Sequence, residues 1–205
     1  MENKNLLIAS NNKHKIKEIK EILQNKFENI YSLQEMGIDV DVEETGLTFE
    51  ENAIIKAREI AKISNMVTLA DDSGLEVYAL SNEPGVYSAR YAGEPCCDYN
   101  NNELLLKNLA SKKDRKARFV SVVALYYNEN KIITATGFCE GEILQEYRGE
   151  NGFGYDPLFY SYDLNATFAE AVAQEKNGIS HRAKALKLLF EKILWYQQNL
   201  VDKLL

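Results

Sequence analysis

A nearly continuous run of apolar and β-branched side chains, residues 117–126, constrains the fold of this chain most strongly. Such a run is typical of a strand that is buried on both faces at the centre of a sheet. The polar residues 128–130 and the segment 131–136 that follows them predict a hairpin with this strand. Residues 141–144 are expected to extend the same sheet.

Two further stretches alternate a strand pattern with a helix pattern. Residues 6–9 are apolar, residues 10–15 are polar, and apolar side chains then recur at helical spacing from Ile16 to Phe27. Residues 38–44 alternate like a half-buried strand, and Thr48 with Glu51 forms a capping box that starts the next helix. A long amphipathic helix is predicted after Ser180. The pattern indicates an α/β fold with a central mixed sheet flanked by helices.

Composition limits the size and the partners of the protein. A chain of 205 residues fits a single domain, residues 1–205, with room for two lobes. The net charge of −7 argues against broad binding to nucleic acid or to an anionic membrane. Cys96, Cys97 and Cys139 match neither a zinc site nor an even disulfide framework. With no apparent signal peptide and no apolar stretch of membrane-spanning length, we expect a cytoplasmic protein.

Two adjacent carboxylates, Asp71 and Asp72, follow the apolar segment 67–69 and precede Ser73 and Gly74. Neighbouring strand residues point to opposite faces, so both aspartates can serve one site only if the chain bends there, for which Gly74 gives freedom. Paired carboxylates at a strand end suit a hard cation such as Mg²⁺. On these residues alone, a solvent-exposed turn explains the stretch equally well.

The loop 10–15 lies at a predicted helix N-terminus, where free backbone N–H groups attract anions. Lys13 and Lys15 add positive charge, and Ser10 and Asn12 add hydrogen-bonding groups. The glycines of a P-loop are missing. Taken alone, the loop is better explained as a solvated helix cap with surface lysines.

Residues 149–157 contain three glycines around Phe153 and Tyr155. Glycines let the backbone approach a ligand closely, and an exposed phenylalanine offers a stacking face for a planar base. A glycine-rich turn with a buried aromatic side chain is an equal alternative.

His181 and Arg182 occupy the first turn of the last predicted helix. Cationic side chains are unfavourable there because they oppose the helix dipole, and their presence hints at function.

Six blocks of sequence together point to one family. The blocks are residues 10–15 (Ser-Asn-Asn-Lys-His-Lys), 43–53 (Glu-Glu-Thr-Gly-Leu-Thr-Phe-Glu-Glu-Asn-Ala), 70–75 (Ala-Asp-Asp-Ser-Gly-Leu), 84–93 (Pro-Gly-Val-Tyr-Ser-Ala-Arg-Tyr-Ala-Gly), 153–157 (Phe-Gly-Tyr-Asp-Pro) and 180–182 (Ser-His-Arg). In this order they resemble the signature blocks of the Ham1 family, the inosine triphosphate or dITP/XTP pyrophosphatases. The resemblance covers nearly the whole chain.

The resemblance implies a Mg²⁺-dependent enzyme that hydrolyses ITP, dITP, XTP and dXTP to the monophosphate and pyrophosphate, and so cleans the nucleotide pool. It also implies an elongated central mixed sheet, two lobes with the active-site cleft between them, and a homodimer.

The resemblance also assigns roles to individual residues. The implied substrate-binding residues are Ser10, Asn11, Asn12, Lys13, Lys15, Ser73, Phe153, Gly154, Tyr155, Asp156, Lys176, His181 and Arg182. Among these, the first loop and Ser73 contact phosphate, Phe153 stacks on the base, and Asp156, Lys176, His181 and Arg182 read the base edge. The implied catalytic residues are Asp72 as proton acceptor, Asp71 as its partner, and Lys15. The implied metal ligands are Asp72 with Glu43 or Glu44, an alternative that the sequence leaves open.

Two departures from the family pattern leave the required groups in place. Ser10 stands where threonine is usual, and Ala183-Lys184 stands where glycine and a polar or basic residue are usual. A Maf-like pyrophosphatase for modified pyrimidine nucleotides and a nucleotide sensor without turnover remain alternatives. The Ham1 hypothesis predicts that Arg182→Ala removes ITP hydrolysis far more than it lowers stability.

Overall fold

The structure, a computed structural model, describes residues 5–201. Its strands are β1 (Asn5–Ile8), β2 (Asn29–Ser32), β3 (Thr68–Val77), β4 (Glu83–Pro84), β5 (Lys116–Asn128), β6 (Lys131–Ile143), β7 (Phe159–Ser161) and β8 (Ala166–Thr167). Its α-helices are α1 (Lys13–Leu23), α2 (Phe49–Ser64), α3 (Asp98–Leu109), α4 (Ala173–Ile179) and α5 (His181–Val201), and 3₁₀ turns cover Tyr78–Leu80 and Gly85–Arg90.

The strands form one mixed sheet in the order β2-β1-β3-β5-β6-β7-β8, with β4 paired to β3. β1 is parallel to β2 and β3, whereas β7 is antiparallel to β6 and β8. The predicted mixed sheet flanked by helices is therefore confirmed. β5 and β6 are adjacent, as the hairpin prediction required, and β6 includes the predicted extension at residues 141–143.

The chain divides into two compact units. Unit 1 comprises Met1–Asp72, Val122–Gly137 and Arg182–Leu205, and unit 2 comprises Ser73–Ser121 and Phe138–His181. Each has a core of its own. In unit 1, side chains of β1, β3, β5 and β6 pack with α1 and α5, around Ile8, Leu69 and Leu186. In unit 2, Phe119, Phe159 and Phe168 form an aromatic cluster within the second core.

Local capping signals start the helices as predicted. The side chain of Asn12 accepts from the backbone N–H groups of His14 and Lys15 at the start of α1. Thr48 and Glu51 form the capping box of α2. The final helix begins directly after Ser180. No helix within residues 5–201 is long and apolar enough to cross a bilayer.

The predicted strand at residues 38–44 is wrong. The segment alternates between more and less exposed residues, but it pairs with no strand of the described chain. A loop residue contacts it instead, since Asn11 Nδ2 donates to the carbonyl oxygen of Val40 at 3.2 Å. Alternating polarity predicted the burial of its side chains correctly but could not supply a strand partner.

Candidate active site

Asp71 and Asp72 lie inside β3, which continues through Gly74 to Val77. The prediction that the strand ends at the aspartates and bends at Gly74 is therefore wrong. Because successive side chains of a strand point to opposite faces, the two buried carboxylates have different partners. Asp71 forms ion pairs with Lys15, at 3.0 Å, and with Arg182, at 3.2 Å.

Lys56 of α2 joins Asp72 to Glu44. Its Nζ lies 2.8 Å from Asp72 Oδ1, 2.8 Å from Glu44 Oε1 and 3.0 Å from the carbonyl oxygen of Asp71. Burial opposes the charge of Lys56, but attraction to Asp72 and Glu44 outweighs burial and raises the pKa of the ammonium group. A single cation therefore already bridges two carboxylates that come from separate segments of unit 1.

Asn52 fixes the loop that carries Glu44. Its buried side chain accepts from the Gly46 N–H at 2.8 Å and donates to Asp72 Oδ2 at 3.4 Å. A Cβ at Gly46 would lie 2.6 Å from Asn52 Oδ1, so the close approach requires glycine. Burial raises the pKa of Asp72 above its ordinary value, against the opposing effects of Lys56 and Lys15. Lys56 and Asn52 thus hold the Asp72 carboxylate in place, and the residue is only 5% exposed to water.

The Asp72 and Glu44 carboxylates fit a hard divalent cation. Both already contact one cationic atom, and the carbonyl oxygen of Asp71 contacts the same atom, which gives an all-oxygen donor set of the type that Mg²⁺ prefers. Glu43, in contrast, is exposed to solvent. In the described part of the chain, no three His, Cys, Asp or Glu side chains cluster closely enough to hold a metal by themselves.

The loop before α1 has the helix N-terminus that the sequence predicts. Ser10 Oγ accepts from the Asn12 N–H, and Asn12 caps the helix, so both side chains shape the loop. Asn11 and Lys13 are exposed. Lys15 turns inward to Asp71. Among the predicted phosphate residues, the structure therefore brings Lys15 to the carboxylates and assigns Asn12 to capping.

Arg182 is almost fully buried, at 1% exposure. Its guanidinium donates to Asp71 and to Glu18 of α1. Coulombic attraction to these carboxylates raises the pKa of Arg182 despite its burial. The family resemblance implies that Arg182 contacts the edge of the purine base. In the structure its guanidinium forms a hydrogen bond with Asp71, in unit 1.

A second group of predicted residues comes together within unit 2. Lys176 Nζ lies 2.6 Å from Asp156 Oδ2 and 4.9 Å from the centre of the Phe153 ring. Asp156 Oδ2 also accepts from the Phe153 N–H at 2.9 Å. Phe153 is only half-buried, so part of its ring remains accessible. The arrangement offers a planar face beside a buried ammonium–carboxylate pair.

The neighbouring His181 belongs to an aromatic stack. Its ring is nearly parallel to that of Phe119 at 4.8 Å and to that of Phe168 at 6.2 Å. The stack fixes the plane of the imidazole. Phe119, on β5, was not identified as a site residue from the sequence.

Tyr155 has a structural role that the motif does not indicate. The Tyr155 side chain is buried in the core of unit 2, and its hydroxyl donates to the carbonyl oxygen of Ser88 at 2.9 Å. Burial raises the pKa of this phenol. Its side chain is thus a structural anchor, and only its backbone is left for a ligand. Ser73 is half-buried on β3, directly after Asp72.

Sequence reasoning missed Lys56 and Glu18 and did not assign a role to Asn52. One signal could have found Lys56. Asn52 and Lys56 are four residues apart, so they share the helix face beside the apolar Ala53 and Ala57. Polar residues on a buried face need partners, and the carboxylates of Glu44 and Asp72 were the available ones.

Comparison with known proteins identifies relatives of this chain. The sequence profile of the Ham1 family matches residues 6–192. A dITP/XTP pyrophosphatase of Clostridium perfringens is 50% identical over 198 residues, covering 93% of this chain and 97% of that protein. A dITP/XTP pyrophosphatase of Bacillus subtilis is 49% identical over 188 residues, covering 91% and 95%.

Solved structures of Ham1 proteins have the same fold. The Ham1 protein of Staphylococcus aureus superposes with a TM-score of 0.83 at 45% identity, over 94% of this chain and all of that one. A HAM1 protein from Coxiella burnetii also gives a TM-score of 0.83 at 45% identity, over 93% of this chain and 98% of that one. The resemblance seen in the six sequence blocks is confirmed, and the chain belongs to the Ham1 family.

Proposed function

We propose that this protein hydrolyses non-canonical purine nucleoside triphosphates, dITP, ITP, XTP and dXTP, to the monophosphate and pyrophosphate. By this activity it would remove these nucleotides from the pool before polymerases use them. One observation carries the proposal. The buried Asp72 carboxylate and the Glu44 carboxylate both contact the Lys56 ammonium group, and the chain is 50% identical to a dITP/XTP pyrophosphatase.

Asp72 acts as the general base in the proposed reaction. It takes a proton from water as the water oxygen attacks the α-phosphorus, the bond to the bridging oxygen breaks, and pyrophosphate leaves. The raised pKa of this carboxyl makes it a better proton acceptor than an exposed aspartate. Lys15 offsets phosphate charge, and Arg182 holds Asp71 beside it. Ser10 and Ser73 contribute hydroxyl groups to the phosphates.

Charge balance supports a divalent cation as cofactor. The cluster in unit 1 has three cationic side chains against four carboxylates, those of Asp71, Asp72, Glu44 and Glu18. A triphosphate therefore needs added positive charge to bind there. We assign Glu44 and Asp72 as ligands of Mg²⁺ and leave out the exposed Glu43. When bound, Mg²⁺ would neutralise phosphate charge and acidify a coordinated water.

The cluster in unit 2 would bind the base. Phe153 supplies a stacking face, while Lys176 and His181 supply donors for the 6-keto oxygen. The exocyclic amine of adenine cannot accept these hydrogen bonds, so ATP would leave buried donors unpaired. Mismatches of this kind discriminate strongly between substrates.

The alternatives lack a supporting feature. A sensor without turnover has no need of a buried general base, which Asp72 provides. The Phe-Gly-Tyr-Asp and Ser-His-Arg blocks favour the Ham1 substrates over the modified pyrimidines of Maf-like enzymes.

The family resemblance also supports a homodimer. A cytoplasmic location and the lack of nucleic-acid and membrane partners are further proposals. They are supported by the net charge of −7 and by cysteines that form no disulfide within the described residues.

Identification of the products tests the proposal. Phosphorus NMR of ITP incubated with the protein and Mg²⁺ should show IMP and pyrophosphate, and Asp72→Asn should abolish both. Asp39→Asn, which changes an exposed aspartate of the same unit, should retain the activity. Release of inorganic phosphate and IDP would contradict cleavage at the α-phosphorus.

A further inference from the structure

Gly154, the residue after the base-stacking Phe153, is held at both of its peptide groups by helix α3. Its N–H donates to Asp98 Oδ2 at 2.8 Å, and its carbonyl oxygen accepts from Asn102 Nδ2 at 2.9 Å. Asp98 and Asn102 are four residues apart and therefore lie on one face of the helix. The two side chains clamp a glycine whose φ of +62° is in the left-handed region.

The orientation of the Asn102 amide is fixed by this contact. Asn102 is 3% exposed, and its Oδ1 has no hydrogen-bond partner within residues 5–201. A flipped amide would set that oxygen against the Gly154 carbonyl oxygen, so only the observed orientation forms a hydrogen bond. The side chain is kept buried although its Oδ1 forms no hydrogen bond within residues 5–201, which its contact with Gly154 explains.

The residues on both sides of Gly154 are also held by hydrogen bonds. On one side of Gly154, the Phe153 N–H donates to Asp156. On the other side, the Tyr155 hydroxyl donates to the Ser88 carbonyl oxygen. Because α3 holds both peptide groups of Gly154, it restrains the backbone from which the Phe153 side chain extends.

We propose that Asp98 and Asn102 are positioning residues that hold Phe153 in its base-binding orientation and so set the affinity for the purine. This inference rests on the proposed function. Neither residue touches the reacting phosphates. Their loss weakens binding of the base equally in the ground state and the transition state, which raises KM and spares kcat.

Three variants and a matched control test the clamp. Asn102→Leu removes the donor to Gly154 with a side chain of similar size, and Asp98→Ala removes the acceptor. Asp98→Asn keeps an acceptor oxygen and should rescue. Asn100→Leu makes the same change as Asn102→Leu at an exposed position of the same helix.

Kinetics on ITP give the first measurement. Asn102→Leu and Asp98→Ala should each raise KM about tenfold, the effect of losing one hydrogen bond to Gly154, with little change in kcat. Asp98→Asn and Asn100→Leu should stay close to wild type. In a Phe153→Ala background, Asn102→Leu should have almost no further effect on KM. An undiminished effect in that background, or a fall in kcat with an unchanged KM, would overturn the proposal.

Backbone amide exchange in the nucleotide-free protein gives a second measurement that does not depend on activity. The Gly154 amide should exchange at least about tenfold faster in Asp98→Ala than in wild type or Asn100→Leu. Unchanged exchange would show that there is no clamp, whatever the enzyme does. If the wild-type protein fails to hydrolyse ITP while Gly154 is protected, the proposed function is wrong but the clamp remains.

Discussion

Replacing Lys56 by methionine should destabilise the protein far more than any surface lysine change. The Lys56 side chain is 12% exposed, and its partners Asp72 and Glu44 are 7% and 27% exposed. At 2.8 Å and an effective dielectric constant of about 20, each contact supplies about 6 kcal/mol of direct attraction, most of which offsets desolvation. Removing one partner of a buried pair typically costs about 3–5 kcal/mol, because the remaining charges stay buried without compensation.

Thermal unfolding followed by circular dichroism in the presence of a chelator measures this loss. For a chain of this size we expect the Tm of Lys56→Met to fall by about 10 °C. Lys62→Met is the matched control. Lys62 lies on the same helix and is also 2.8 Å from a glutamate, but both partners are about half exposed. Exposed pairs contribute at most about 1 kcal/mol.

Added Mg²⁺ should raise the Tm of Lys56→Met more than that of wild type, since it supplies the cation that Asp72 and Glu44 have lost. Equal effects of Lys56→Met and Lys62→Met in chelator would refute the argument from burial. The absence of any effect of Mg²⁺ on the Tm of Lys56→Met would refute the assignment of these two carboxylates as the metal ligands.

Three further predictions concern separate parts of unit 1. Arg182→Ala should lower the free energy of unfolding by about 3–5 kcal/mol as well as activity, because the carboxylates of Asp71 and Glu18 lose their buried guanidinium partner. This outcome differs from the selective loss of activity expected from the sequence; urea denaturation measures it, and unchanged stability would contradict it. Glu44→Gln should raise the Mg²⁺ concentration needed for half-maximal activity, while Glu43→Gln should leave it unchanged; the reverse order would exchange the two assignments. The pKa of Glu35, lowered from 4.5 to about 2 chiefly by its hydrogen bond with Lys20, should rise in Lys20→Gln in an NMR titration. Because the folded-state pKa is depressed, the stabilisation by Glu35 is present above the unfolded pKa and is lost as the pH falls from 4.5 towards 2. A wild-type Glu35 pKa near 4.5 would contradict this prediction.

Local features of the structure could be predicted because their causes are local. The capping box of Thr48 and Glu51 starts α2 where the sequence indicates, and the apolar run at residues 117–126 lies within β5. Both signals depend on residues a few positions apart. The six family blocks likewise predict the family and the mixed sheet, since each block is a short local motif.

Features that depend on distant partners could not be predicted in this way. The two acids and Gly74 look locally like a turn, but β3 continues through them and lies beside β5, a strand far away in the sequence. The contacts of Lys56 and Arg182 join segments far apart in the chain. Asparagine and aspartate on α3 look like ordinary helix residues until Gly154 is seen between them.

The central claim is selectivity for non-canonical purines, and initial rates on a panel of nucleotides test it most directly. Pyrophosphate release with Mg²⁺ should be measured for ITP, XTP, ATP, GTP, UTP and modified pyrimidine triphosphates at equal subsaturating concentrations. The account predicts that kcat/KM for ITP and XTP exceeds that for ATP by at least about a hundredfold. Comparable rates for ATP, activity confined to modified pyrimidines, or tight binding of ITP without turnover would contradict it.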